Sequence, residues 1–133
     1  MICITIPVYY TKSFKTKKDK TFLVTLNWYR NAHHYEQNIV KQYFAELIKE
    51  QLTNAKPLDN KYCVSYEYYY KNPVSDMPNV TAMCSKWVND ALQDLNLIPN
   101  DNVQYLVQET HRVRIQDKDN PRCIIRIDTY GTY

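Results

Sequence analysis

The sequence predicts an α+β fold: one domain in which a small mixed β-sheet is packed with two helices. Three observations carry this. Segments of alternating apolar residues and segments of helical spacing are well separated, in the order strand, short strand, helix, strand, helix, strand, strand. The length of 133 residues suits a single domain able to bury about two-thirds of its unfolded surface. An apolar share of 44% excludes a disordered tail, and no repeat or linker divides the chain, so residues 1–133 read as one unit.

Each element has its own reason. The opening ICITIPVYY is rich in β-branched residues and reads as a strand that Pro7 places at a sheet edge or exit. After a lysine-rich loop, TFLVTL reads as a second short strand. Asn27 to Arg30 lead into a helix over about residues 31–54, where Ile39, Val40, Tyr43, Phe44, Leu47, Ile48 and Leu52 keep helical spacing over four turns. Pro57 and the LDNK stretch close it. In KYCVSYEYYY, Tyr62, Val64, Tyr66, Tyr68 and Tyr70 share one strand face and Cys63, Ser65, Glu67 and Tyr69 the other. Asp76 opens a second helix with the stripe Val80, Met83, Cys84, Trp87, Val88, Ala91, Leu92 and Leu95, which Asn96 and Pro99 end. Segments 103–113 and 122–130 are expected to pair as strands joined by the polar loop QDKDNP.

Composition narrows the function. The net charge of +3 is mild, but Lys12, Lys15, Lys17, Lys18 and Lys20 crowd into TKSFKTKKDK. Such a cluster is an electrostatic footprint for a phosphate backbone, or else an ordinary solvated hairpin loop. The single glycine, Gly131, leaves no glycine-rich phosphate loop or dinucleotide fingerprint, so no nucleotide cofactor is expected. The 13 tyrosines suit sheets, interfaces and base stacking alike. Cys3, Cys63, Cys84 and Cys123 are widely spaced, and with three in apolar strand or helix patterns they read as reduced core residues, not zinc ligands or staples. With no signal-like start and no apolar run of membrane length, a soluble cytoplasmic protein is expected, without membrane association.

One segment carries chemistry, DMPNVTAMCSKWVNDALQDLNLIPNDN. On its helix Asn79, Lys86 and Asp90 are spaced by seven and four residues, which stacks them in a narrow polar line at about 100° per residue. Asp76 stands at the head of that line and Asp101 beyond its tail. An amide, an ammonium and carboxylates in this order suit a metal-and-phosphate site; a solvated face with an Asp cap has the same spacing.

The segment resembles the RusA family of Holliday-junction resolvases, in particular its divergent bacteriophage and prophage members. The likeness rests on Asp76 and Asn79 in DMPN, Lys86, NDAL at 89–92, and Asp101 in the turn IPNDN. LNWYRNAHHYEQNIVKQYF (26–44) is similar to the approach to the first helix in the phage members, so most of residues 26–107 is covered. The resemblance implies magnesium-dependent nicking of four-way junctions and other branched DNA by an intertwined homodimer, with manganese able to substitute. It implies Asp76 as the first metal-binding aspartate and Asp101 as the last. The family pattern is D-x-D-N; Pro78 stands at its middle acid, and the catalytic lysine that follows falls near Ala82. Lys86 is the nearby lysine one turn later, and Asp90, ahead of Glu67, is the replacement carboxylate.

On this reading Asp76, Asp101 and Asp90 hold magnesium, Lys86 contacts the phosphate, and Asn79 orients Asp76 or a metal water. About 18 helical residues at 1.5 Å each span roughly 27 Å. Asp76 and Asp101 therefore meet if the turn doubles back, or if helices pair antiparallel across a two-fold axis. The second is preferred, because a junction offers two symmetry-related strands. Two other readings use the same residues: a DNA-binding protein that has lost catalysis, and a structural phage protein with a tyrosine-rich assembly surface.

Overall fold

Burial along the central strand follows its alternation, and the rest of the core is built on that strand. The computed structural model describes residues 1–58, 61–99 and 104–130. Its elements are β1 (Ile2–Pro7), β2 (Tyr9–Lys12), β3 (Lys20–Leu23), α1 (Leu26–Asn31), α2 (His34–Gln51), β4 (Tyr62–Tyr70), α3 (Met77–Asp94), β5 (Leu106–Gln116) and β6 (Arg122–Thr129). Four strands form a mixed sheet in the order β1-β6-β4-β5, and β2 with β3 forms a separate hairpin. The expected α+β class holds.

In β4, Tyr62, Val64, Tyr66 and Tyr68 are buried. The antiparallel register with β6 sets Tyr66 beside Ile125 and Tyr68 beside Cys123, and β6 in turn sets these beside Ile4 and Ile6 of β1. This apolar face is covered by Val40, Phe44 and Ile48 of α2 and by the α3 stripe from Val80 to Leu92. Phe44 and Trp87 stack at 5.7 Å where the two helices meet. The opposite face of β4 carries Glu67, paired with Arg114 at 3.2 Å and with Arg126. Pro7 ends the edge strand β1, where a missing donor costs least.

Three expectations need correction. The expected helix over 31–54 is α2, but the lead-in before it forms a helix of its own, α1, so the sheet packs with three helices. Thr25 Oγ1 accepts from Trp28 N–H and starts α1 at Leu26, and the extended Ala32 and His33 then separate it from α2. The opening strand divides at Val8 into β1 and β2, which belong to different sheets. The last two strands are not a pair: β5 lies parallel to β4, and β4 stands between β5 and β6. The connection after β5 passes over the end of β4, where Asp117 N–H donates to Tyr70 O at 2.7 Å and Arg122 Nη1 to Asp117 Oδ2 at 2.8 Å.

Helix α3 is the crossover that a parallel β4–β5 pair requires. It ends as expected at Asn96, which takes a left-handed φ of 56°. Asn96 N–H donates to Gln93 O and Leu97 N–H to Leu92 O, closing the carbonyl end with two paired bonds. Among the described residues no helix is long and apolar enough to cross a membrane.

Candidate functional site

The head of α3 is capped without a side-chain bond. Asp76 has extended backbone at the cap position and Pro78 lies in the first turn, yet the Asp76 carboxylate accepts no capping hydrogen bond. It is exposed and has no ion-pair partner among the described residues.

The polar line along α3 faces α1. Asn79 Oδ1 accepts from the Asn27 backbone N–H at 3.1 Å. Lys86 Nζ lies 3.5 Å from Asp90 Oδ2, an ion pair without hydrogen-bond geometry, and 5.6 Å over the Tyr29 ring. Lys86 and Asp90 are thus brought together, and Asn79 and Lys86 both touch α1. Asp76 and Asp90 are not brought together: 14 residues of sequence correspond to about 21 Å of helix axis, so they cannot share one ion within a chain. Asp101 lies outside the described residues. Among the described residues no three His, Cys, Asp or Glu side chains gather as a metal site.

About a quarter turn around α3 lies a cavity of about 510 Å³, lined by Pro78, Thr81, Ala82 and Ser85 from α3 and by Glu109 and His111 from β5. The parallel register explains the meeting, because Glu109 pairs with Val64 and His111 with Tyr66, on the face that α3 covers. Ser85 Oγ donates to Glu109 Oε1 at 3.0 Å, and His111 Nε2 lies 3.4 Å from Glu109 Oε2. The His111 ring stacks on Tyr66 at 4.9 Å, and its Nδ1 is buried without a hydrogen-bond partner. Burial pushes the Tyr66 hydroxyl well above its ordinary pKa; Ser85 opposes this in part, although the two hydroxyls do not reach good hydrogen-bond geometry.

Pro78 and Ala82 therefore both face this cavity. Glu109 and His111 escaped the sequence reading. Their signal was there: residues two apart on a strand share a face. What no local pattern indicates is that this face meets Ser85. Glu67, the other carboxylate considered, is on the opposite side of the sheet with its two arginines.

The lysine cluster occupies the β2–β3 hairpin. Lys12 pairs with Glu36 Oε1 at 2.8 Å, and Trp28 Nε1 donates to Glu36 Oε2 at 2.9 Å. The bond from Lys12, then that from Trp28, hold Glu36 below its ordinary pKa. Lys15, Lys17, Lys18 and Lys20 are exposed, with Lys17 4.4 Å over the Phe14 ring. Four of the five lysines thus remain open to an anionic partner.

No family model and no curated protein matches this chain.

Proposed function

We propose that this chain is a RusA-like, magnesium-dependent endonuclease that nicks branched DNA as a homodimer in the cytoplasm of a bacterial host. The observation that supports it best is the placement of the departures from the family pattern. Pro78 and Ala82 open on one cavity in which a carboxylate, Glu109, and an imidazole, His111, face them.

The donor chemistry suits a hard cation at Asp76, whose oxygens have no hydrogen bond or ion pair in the described chain. Magnesium held by Asp76, and by Asp101 as the resemblance implies, would neutralise phosphate charge and activate water. Asp90 is tied to Lys86 and serves the helix joint. Ser85 fixes Glu109, and Glu109 holds His111 through Nε2, so the three form one polar cluster lining the cleft. Lys15, Lys17, Lys18 and Lys20 bind the DNA arms through their charge.

Pairing of two chains has its own support. The 11-residue β5 ends the sheet, so its outer edge is unpaired among the described strands, and Val113 and Ile115 on it are 47% and 66% exposed. Long unpaired edges invite a further strand. A two-fold dimer also presents two sites to the two equivalent strands of a junction.

The test is a four-way junction incubated with the chain in magnesium and in manganese. Metal-dependent nicks at symmetric positions are expected. Binding without nicks under either metal supports the second reading, a branched- or single-stranded-DNA-binding protein, which Pro78 at an acid position favours. Neutralising Lys15, Lys17 and Lys18 is expected to flatten the log–log salt dependence of binding by up to about three. An unchanged slope removes the hairpin from the interface.

A further inference from the structure

Beside the basic hairpin lies an aromatic surface that cleavage leaves unused. His33, His34 and Tyr35 lead into α2 with their rings against one another: His33 and Tyr35 stack at 5.0 Å and 24°, and His34 lies 4.3 Å from Tyr35. Tyr35 is nonetheless 69% exposed and Ile39, one turn on, 59%. These residues join Tyr10, Lys12, His33 and Glu36 around a groove of about 260 Å³ between the hairpin and α2.

The groove is held in shape from below. Tyr10 packs edge-on against Phe22 at 5.8 Å and Tyr43 at 5.2 Å. Lys12, Glu36 and Trp28 close one side with two hydrogen bonds. His33 Nδ1 accepts from Tyr35 N–H at 3.3 Å, which ties that ring to the start of the helix. Ordered aromatic faces bind flat rings at low entropic cost. Next to them stand Lys15, Lys17, Lys18 and Lys20, with no carboxylate partner among the described residues.

We propose that this groove takes one unpaired base of single-stranded DNA, stacked on Tyr35 and His33, while the hairpin lysines hold the flanking phosphates. A duplex keeps its base faces inside its own stack, so only an unpaired base can enter. A peptide aromatic would fill the groove but would bring no regular row of negative charge to the lysines; charge complementarity selects nucleic acid. The choice of DNA rests on the reading above, whereas the stacking does not.

The probes are labelled dodecamers followed by fluorescence anisotropy with the full chain: oligothymidine, oligouridine, an abasic strand with the same phosphates, and a duplex. Tyr35→Ala is expected to weaken oligothymidine binding about tenfold or more. Tyr35→Phe keeps wild-type affinity, and neither change affects the duplex or the abasic strand by more than about twofold. Oligothymidine binding indifferent to Tyr35→Ala, or an equal loss on duplex and abasic strands, overturns the groove. Tighter binding of oligouridine overturns the choice of DNA. A chain that binds oligothymidine through Tyr35 yet nicks no junction keeps the groove and rejects cleavage; one that nicks junctions but ignores Tyr35→Ala does the reverse.

Discussion

Helix α3 has two polar sides, and they are used differently. Toward α1, polar groups find partners within the chain: Asn79 with Asn27, Lys86 with Asp90 and the Tyr29 ring. On the far side of α1, Trp28 is held by Glu36 and Glu36 by Lys12, so the short helix is clamped from both directions. Toward β5, a cavity lined by Ser85, Glu109 and His111 remains, and Asp76 stands apart at the helix head, uncommitted. Groups matched inside the chain hold the fold together, while groups left over are the ones a ligand can use. On the proposed reading, α1 serves the fold and the cleft serves the chemistry.

The largest expected effect removes the support common to both sides. Trp87 is 2% exposed, stacks on Phe44 and meets Tyr29 edge-on at 6.1 Å. Trp87→Ala is expected to cost about 3–5 kcal/mol in urea unfolding. A loss below about 1 kcal/mol would mean that α3 is not anchored there.

Asn79→Ala separates the two sides. It removes the acceptor of Asn27 N–H, so a stability loss of about 1 kcal/mol is expected, with nicking per folded molecule changed by less than about threefold. A large loss of nicking at unchanged stability would move Asn79 from the joint to the chemistry.

The smallest effect is in pH. Glu36 has a lowered pKa in the folded chain, so its bonds stabilise fully above the unfolded value and are lost as pH falls through the lower folded value. The Trp28 indole N–H resonance is expected to stay constant from neutrality until pH falls below the usual carboxylate range, and then to shift. A shift centred near neutrality would show that Glu36 is not its partner.

Much of this was legible in the residues. The alternation of β4, the apolar stripe of α3 and the helix stop at Asn96 are local patterns, and local physics decides them. The break between α1 and α2 was not legible, because neither Gly nor Pro marks it and only the extended Ala32 and His33 make it. The loop QDKDNP has hairpin length, but it passes over the end of β4 because β4 already pairs with both strands. The polar line on α3 was correctly placed on one face, yet its partner across that face is α1, which spacing within α3 cannot reveal. For the same reason the cleft was missed: Ser85 and Glu109 are 24 residues apart and meet through the parallel register.

The most direct measurement compares two aspartates on one helix, in single-turnover nicking of a four-way junction with magnesium. Asp76→Asn is expected to slow nicking at least about a hundredfold, or about 2.7 kcal/mol, with unfolding unchanged. Asp90→Asn is expected to stay within about threefold of the wild-type rate. Nicking that survives Asp76→Asn and disappears with Asp90→Asn would contradict the assignment of Asp76 to the metal and of Asp90 to its pair with Lys86.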